Sequence, residues 1–320
     1  MNEFSVIKKY FSCLSKNNRG SFNLSDDIFF DYKKRVGISI DSYVEGTHFL
    51  NFKNPNLVIK KALRGAISDL ICKGIIPKYY FISCSGNKKH LTQANLAKIK
   101  IALKQEQKKY NIFLAGGDTS YSNRLLITVS VVGYSKKSPV LRNGAKINDD
   151  IYITNTIGDA FVGLKLLKGK IKLSKKNSDY FVRRFYLPIL PIKFSKKIHL
   201  FANSAIDISD GFFQDLQHVL STSNLSSEVF NNKIPISSYL NSYLIETKKN
   251  KLNFISNGDD YQILFTASKK MRNIIKKISK STSTKVSIVG IVKSKSMFKN
   301  TRTTKIKNKF PKKQGYIHNF

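Results

Sequence analysis

The stretch YYFISCSGNKKHLTQANLAKIKIALKQEQKKYNIFLAGGDT, residues 79–119, decides the fold class. Residues 79–85 are an apolar, strand-like run bounded by Gly86. Residues 91–110 are rich in Ala, Lys and Gln and contain no proline, which favours a long helix. Residues 111–115 are again a short apolar run, closed by Gly116-Gly117-Asp118-Thr119. The same alternation continues on both sides. Upstream, VGISIDS (36–42) reads as a strand, and 57–72 carry apolar residues at helical spacing after Pro55. Downstream, 125–134 read as a longer strand. Several strands interleaved with two long helices suit a ferredoxin-like α+β layer.

Further out, residues 4–14 read as a short amphipathic helix. The run 135–150 mixes Lys, Ser, Pro, Gly and Asn without periodicity and marks a boundary between domains at 1–143 and 144–320. The second half is predicted to be an α/β domain. Its strands fall at 151–154, 204–208, 253–256, 261–266 and 286–292, and its helices at 159–167, 178–185, 192–201, 212–220 and 271–278. At 320 residues the chain is long enough for two cores.

Lys and Arg total 56 against 20 acids, a formal net charge of +36. Such basicity first points to a nucleic-acid or membrane-surface partner. However, 47 of the 56 are Lys and they are spread along the whole chain, whereas phosphate interfaces draw on the bidentate fork of Arg. A general bias towards Lys, Asn and Ile accounts for them, and no specific nucleic-acid partner is expected. No apolar run approaches the ~20 residues needed to span a bilayer, and residues 1–15 lack the apolar segment of a signal peptide. The three cysteines, Cys13, Cys72 and Cys84, show no metal-ligand spacing and read as reduced thiols in a cytoplasmic protein.

In a chain so poor in acid, the positions of the acids are informative. Nine of the twenty fall in short patches: Asp26-Asp27, Asp41, Asp69, Asp118 with the pair Asp207 and Asp210, and Asp259-Asp260. Asp41, Asp118 and Asp207 each end a strand-like run, where a sheet presents residues to a ligand crevice. Carboxylates that converge without basic partners persist only where cations neutralise them. Hard oxygen donors with no His or Cys cluster favour Mg²⁺ over zinc, and Mg²⁺ completed by phosphate oxygens is typical of ATP-using enzymes. No GxxxxGK[ST] or GxGxxG is present, which excludes a P-loop enzyme or protein kinase. No Ser, Cys or Thr has the setting of a catalytic nucleophile, and the five histidines are scattered.

The ordered set SDD (25–27), SID with VEGTHF (39–49), KALRGAISDLICKGIIP (61–77), AGGDT (115–119), LRNGAK (141–146), NSAIDISDG (203–211), NGDDYQILF (257–265) and GYIH (315–318) resembles the thiamine-monophosphate kinase family. That family lies within the wider aminoimidazole-ribonucleotide-synthetase-like superfamily. The resemblance implies a two-domain α/β protein, with an N-terminal ATP- and Mg²⁺-binding domain whose sheet dimerises and a C-terminal domain that completes the site. It implies a homodimer that passes the γ-phosphoryl of ATP to thiamine monophosphate. It also implies Mg²⁺ ligands at Asp27, Ser39, Asp41, Asp69, Asp118, Asp207 and Asp210. Gly117, Asp118, Arg142 and Ser209 correspond to ATP contacts, and His48, Asp259 and Tyr316 to positions facing the thiamine substrate. Against the family's pattern, Ser25 and Asn257 stand for glycines, Ile40 for threonine and Gln262 for glutamate. Two other readings compete: another ATP-using member of the superfamily, such as an aminoimidazole ribonucleotide or selenophosphate synthetase, and a basic nucleic-acid-binding protein. The cysteines sit outside any N-terminal Gly-rich segment, which counts against selenophosphate synthesis, and the dispersed lysines count against the last.

Overall fold

The computed structural model describes residues 3–295, 304–306 and 315–316, so Ile317 and His318 of the GYIH motif lie outside the described residues. The first half contains α1 (Glu3–Val6), β1 (Phe29–Asp31), β2 (Val36–Val44), α2 (Pro55–Cys72), β3 (Ile76–Gly86), α3 (Gln93–Tyr110), β4 (Phe113–Tyr121) and β5 (Leu126–Tyr134). These strands form a five-stranded sheet in the order β1-β2-β5-β3-β4. Every neighbouring pair is antiparallel except β3 and β4, which α3 joins in parallel as the sequence of 79–119 requires.

The chain positions its site largely through α2. Pro55 starts this helix, where its missing N–H costs nothing. Fifteen of its 18 residues are buried, so it is enclosed on all sides rather than amphipathic. One side packs on the inner face of the first sheet, against Ile127, Val129 and Val131, and the helix also meets the second half of the molecule. Its polar residues Lys61, Arg64, Ser68 and Asp69 are therefore carried into the interior.

The second half contains β6 (Asp150–Thr154), α4 (Asp159–Leu167), α5 (Lys175–Tyr186), α6 (Ile192–Ser195), β7 (Ser204–Asp207), α7 (Phe212–Thr222), β8 (Leu225–Val229), α8 (Ser238–Thr247), α9 (Leu252–Ile255), β9 (Ile263–Ala267), α10 (Arg272–Ser281), β10 (Val286–Ser294) and β11 (Thr304–Ile306). Its sheet runs β11-β8-β10-β6-β9-β7, with apolar clusters on both faces. Among the described residues, no helix is long and apolar enough to cross a membrane.

Several expectations need correction. Residues 4–14 do not form one helix but a succession of α, π and 3₁₀ turns from Glu3 to Ser15. Residues 253–256 are not a strand: α9 begins where Asn250 Oδ1 accepts from Leu252 N at 2.9 Å, a local cap that four apolar-flanked residues cannot announce by periodicity. The helix expected over 192–201 is α6 followed by a 3₁₀ turn at Ile198–Leu200. The strand expected over 111–115 extends to Tyr121, so the GGDT motif lies inside β4 rather than beyond its end. β1, β8 and α8 were not anticipated.

Candidate active site

Three carboxylates meet where the two halves join. Asp27 follows the N-terminal 3₁₀ turns, Asp69 comes from α2, and Asp207 closes β7; their ligand oxygens all lie within 4.8 Å of one another. Burial, and then the carboxylates of Asp207 and Asp27, push Asp41 up to about 7. Asp207 is pushed up to about 6 by burial and then Asp27. Asp69 is held well above its ordinary value by burial and then by Asp41 and Asp207. Asp210, on the loop after β7, is pushed up to about 7 by burial, Asp207 and Asp27. Among the described residues, Asp207 Oδ2 is buried without a hydrogen-bond partner. An all-oxygen set of converging carboxylates, with one buried oxygen left without a partner, fits a hard divalent cation such as Mg²⁺.

Asp27 is the exception, and its neighbours explain why. Burial alone would raise it, yet Arg142 and Lys73 hold it below the usual carboxylate range. Arg142 lays its fork on Asp27, with Nε donating at 3.0 Å and Nη2 donating to the other oxygen. Asp26 is a brace. Its Oδ1 accepts from Asp27 N at 2.9 Å and pairs with Lys73 Nζ at 2.8 Å, and its Oδ2 accepts from Arg142 N at 2.8 Å. Sequence reading missed Lys73, whose only signal is a charge ending the otherwise uncharged run after Asp69.

Two of the three residues expected to face substrate, His48 and Asp259, gather around Lys61, two turns before Asp69 on the same face of α2. Lys61, fully buried, pairs with Asp259 Oδ1 at 2.8 Å and donates to the carbonyl of His48 at 3.2 Å. His48 Nδ1 accepts from Val44 N at 3.0 Å. Tyr261 OH reaches Asp259 Oδ1 at 3.4 Å and the hydroxyl of Tyr43 at 3.0 Å, and Tyr43 OH donates to Asp41 Oδ2 at 3.5 Å. Gly65 makes this chain of contacts possible. A Cβ there would lie 1.7 Å from Tyr43 OH, so the helix carries a glycine in its interior to admit the hydroxyl. Lys61, Tyr43 and Tyr261 were not among the expected site residues.

Other expected residues fall elsewhere. Asp118 is exposed on β4, and its pairing row runs through Ser83 and Thr128 to Ser42. Ser42 follows Asp41 on β2, so Asp118 faces the sheet surface opposite the acidic cluster. Gly117 is required for close strand approach, since a Cβ there would meet Ile82 O at 2.0 Å. Ser39 is buried and its hydroxyl donates to Ala66 O at 2.7 Å. Ser209 holds the late acidic loop, its carbonyl accepting from Asp259 N at 2.9 Å. Tyr316 N donates to Asp210 O at 3.1 Å, which lays the GY pair on the Asp210 loop.

The departures from the family pattern have local reasons. Ser25 has φ −101°, so no glycine is needed there. Ile40 points to the outer sheet face, 65% exposed and away from the cluster. The left-handed backbone near Asn257 falls instead on Asp259 (φ 70°) and Tyr261 (φ 50°). Gln262 is fully engaged as an amide: its Oε1 accepts from Thr154 Oγ1 and Asn155 Nδ2, and its Nε2 donates to Ile189 O and Asp260 O, a donor role that a carboxylate could not fill.

Comparison with known proteins gives a consistent result. Residues 25–135 match the family described as AIR synthase related protein, N-terminal domain. Thiamine-monophosphate kinase of Buchnera aphidicola subsp. Acyrthosiphon pisum (strain APS) is 34% identical over 300 residues, 91% of this chain and 90% of that protein. Thiamine-monophosphate kinase of Buchnera aphidicola subsp. Schizaphis graminum (strain Sg) is 32% identical, covering 99% of this chain and 98% of that protein. A solved structure of AaThiL complexed with AMPPCP and TMP matches with a TM-score of 0.85 at 27% identity, covering 99% of this chain and 97% of that one.

Proposed function

The chain belongs to the thiamine-monophosphate kinase family, and from that premise we propose that its acidic cleft passes the γ-phosphoryl of ATP to the phosphate of thiamine monophosphate, giving thiamine diphosphate and ADP. The observation that carries this reading is the meeting of Asp27, Asp69 and Asp207, with an unpartnered buried oxygen on Asp207 and the Arg142 fork beside them. Asp27, Asp41, Asp69, Asp207 and Asp210, with Ser39, would hold several Mg²⁺ ions. Bound there, the ions would neutralise two polyanionic substrates and the charge that develops between them.

The rest of the chemistry falls to the chain's own groups. The acceptor phosphate has a second pKa near ~6 and is mostly dianionic at neutral pH, so no general base is needed. His48, whose Nδ1 is occupied by Val44 N, is free of that duty and shapes the substrate wall with Asp259 and Tyr316. Arg142 exchanges Asp27 for phosphate oxygens when nucleotide arrives, which suits its planar, always-charged fork. Ser209 and Gly117 line the nucleotide path.

Asp118 joins this scheme through a second copy of the chain. The outer face of the first sheet leaves Ile40, Tyr79, Phe81 and Tyr134 exposed, a surface suited to a homodimer. Pairing through it places Asp118 at the contact between protomers. The enzyme works in the cytoplasm, where its three free cysteines remain thiols. Its positive field draws anionic substrates rather than a specific nucleic acid.

Incubation with ATP, Mg²⁺ and thiamine monophosphate, with the products separated by ion exchange, tests the proposal. Thiamine diphosphate and ADP appearing in equal amounts support it. Folded protein that binds ATP and forms no thiamine diphosphate overturns it.

A further inference from the structure

Lys73 follows the last residue of α2 and has no exposed surface. Its backbone is pinned on both sides: its N–H donates to Leu70 O, and its carbonyl accepts from Val140 N at 3.1 Å. The ammonium lies 2.8 Å from Asp26 Oδ1, 2.7 Å from Ala205 O and 3.9 Å from Asp27 Oδ2. Three parts of the chain therefore meet at one nitrogen: the end of α2, the acidic loop at 26–27 and β7. Two of the ammonium's three donors meet oxygen at hydrogen-bond distance, and Asp27 completes the ring of negative charge as an ion-pair neighbour.

Burying a full charge is costly unless its partners repay the lost hydration, and an apolar side chain would fill the same space without that cost. The oxygens around Lys73 are two carboxylates and a carbonyl, a set that would suit a small hard cation. Asp27 is at the same time a member of the cluster with Asp69 and Asp207.

We propose that Lys73 is a built-in cation of the acidic cleft: its ammonium fills the position between Asp26, Asp27 and the Ala205 carbonyl, and locks the 26–27 loop against β7 before any divalent ion or nucleotide arrives. The divalent ions are then left to the carboxylates beyond it. Lys73 is thus a positioning residue that acts through Asp26 and Asp27. The inference deepens the reading of this cleft as a Mg²⁺ site and rests on it.

The test uses the full chain without substrates. Wild type, Lys73→Met, Lys73→Ala and the double variant Asp26→Asn/Lys73→Met are purified in Mg²⁺ and moved into EDTA. In EDTA, Lys73→Met loses about 5–10 °C in Tm, as expected when a buried charge loses its partner. The double variant recovers most of that loss, because the stranded carboxylate is gone. In Lys73→Ala, where the vacated stem leaves room for a hydrated ion, added Mg²⁺ raises Tm by more than it does in wild type. Titration calorimetry with Mg²⁺ alone then shows an additional ion per chain.

The proposal is overturned if Lys73→Met keeps the wild-type Tm in EDTA. It is also overturned if the loss appears but neither Mg²⁺ nor the Asp26→Asn change repairs it. Should Lys73→Met fail to fold, a folded double variant supports the proposal and an unfolded one overturns it. A wild type that binds no Mg²⁺ in the same calorimetry instead overturns the reading of the cleft. Mg²⁺ binding by wild type alongside an indifferent Lys73→Met overturns only the role of Lys73.

Discussion

Two buried charged regions hang from α2, and they are built on opposite terms. Arg64 meets Glu106 as a fork on a carboxylate, with Nε to Oε2 at 2.8 Å and Nη2 to Oε1 at 2.7 Å, while Nη1 donates to Pro188 O at 3.0 Å. Both charges are answered and their hydrogen-bonding groups are occupied. Farther along the same helix, Asp69 meets Asp27 and Asp207, like faces like; Arg142 and Lys73 pair with Asp27, yet Asp207 Oδ2 is left without a partner among the described residues. Both regions are buried, so burial of charge does not distinguish a site from a strut. What distinguishes them is charge left unanswered, which costs stability unless something binds there.

The largest expected effect breaks the answered pair. Glu106→Leu strands the Arg64 guanidinium in the interior and costs about 3–5 kcal/mol in urea unfolding, while the turnover of the molecules that remain folded is unchanged. A loss of turnover with little loss of stability would remove the distinction. At Asp210, on the loop beside that cluster, the signs reverse: Asp210→Asn lowers kcat by roughly 10²–10³-fold with little change in Tm. Steady-state rates beside a melting curve check this.

The third effect is pH dependence of the metal-free protein. Asp41 and Asp210 titrate at about 7 and Asp207 at about 6 in the folded state, against an ordinary value of 3.8. Between those limits the native state holds protons that the unfolded chain has released. Their contribution to stability is therefore full below about pH 4 and is lost progressively as pH rises from there, the loss being complete once pH passes 6 to 7. Asp27, held low by Arg142 and Lys73, runs the other way, but only below its ordinary value of 3.8, so it leaves the change above pH 5 untouched. In EDTA the protein is expected to lose a few kcal/mol between pH 5 and pH 7.5, the coupled carboxylates giving less than their simple sum, and in Mg²⁺ that loss disappears. Equilibrium unfolding at both pH values, with and without the ion, measures it.

The smallest effect concerns the hydroxyl chain between the two sides of the site. Tyr43→Phe removes the link between Tyr261 and Asp41 and costs about 1 kcal/mol. Gly65→Ala costs more than that in the native background, and less in the Tyr43→Phe background, because the hydroxyl is the atom its Cβ would strike. Equal costs in the two backgrounds would show that Gly65 is there for another reason.

Much of this was legible in the sequence. The alternation across 79–119 yields β3, α3 and β4, and the rare acids lead to Asp27, Asp69 and Asp207. Faces were less legible. Once GGDT is inside β4 rather than beyond it, strand parity sends Asp118 to the outer surface, and no motif spacing reveals that. Lys61 and Lys73 were hidden because they are two of 47 lysines, and composition makes nearly every lysine look solvated. Glu106 lies 42 residues from Arg64, so the pair exists only after α3 folds over α2. Asp215, which braces the Asp210 loop by accepting from Asp210 N and Gly211 N, left only a faint trace as an acid in the first turn of α7.

The most direct test of the contrast is Asp207→Asn, measured for stability and for Mg²⁺ response in the same preparation. The prediction is a Tm in EDTA at pH 7.5 above that of wild type, because a repelling charge is gone, together with a weaker Mg²⁺-dependent rise in Tm and slower formation of thiamine diphosphate. A variant that is less stable than wild type in EDTA, yet keeps the full Mg²⁺ response and turnover, would contradict the account.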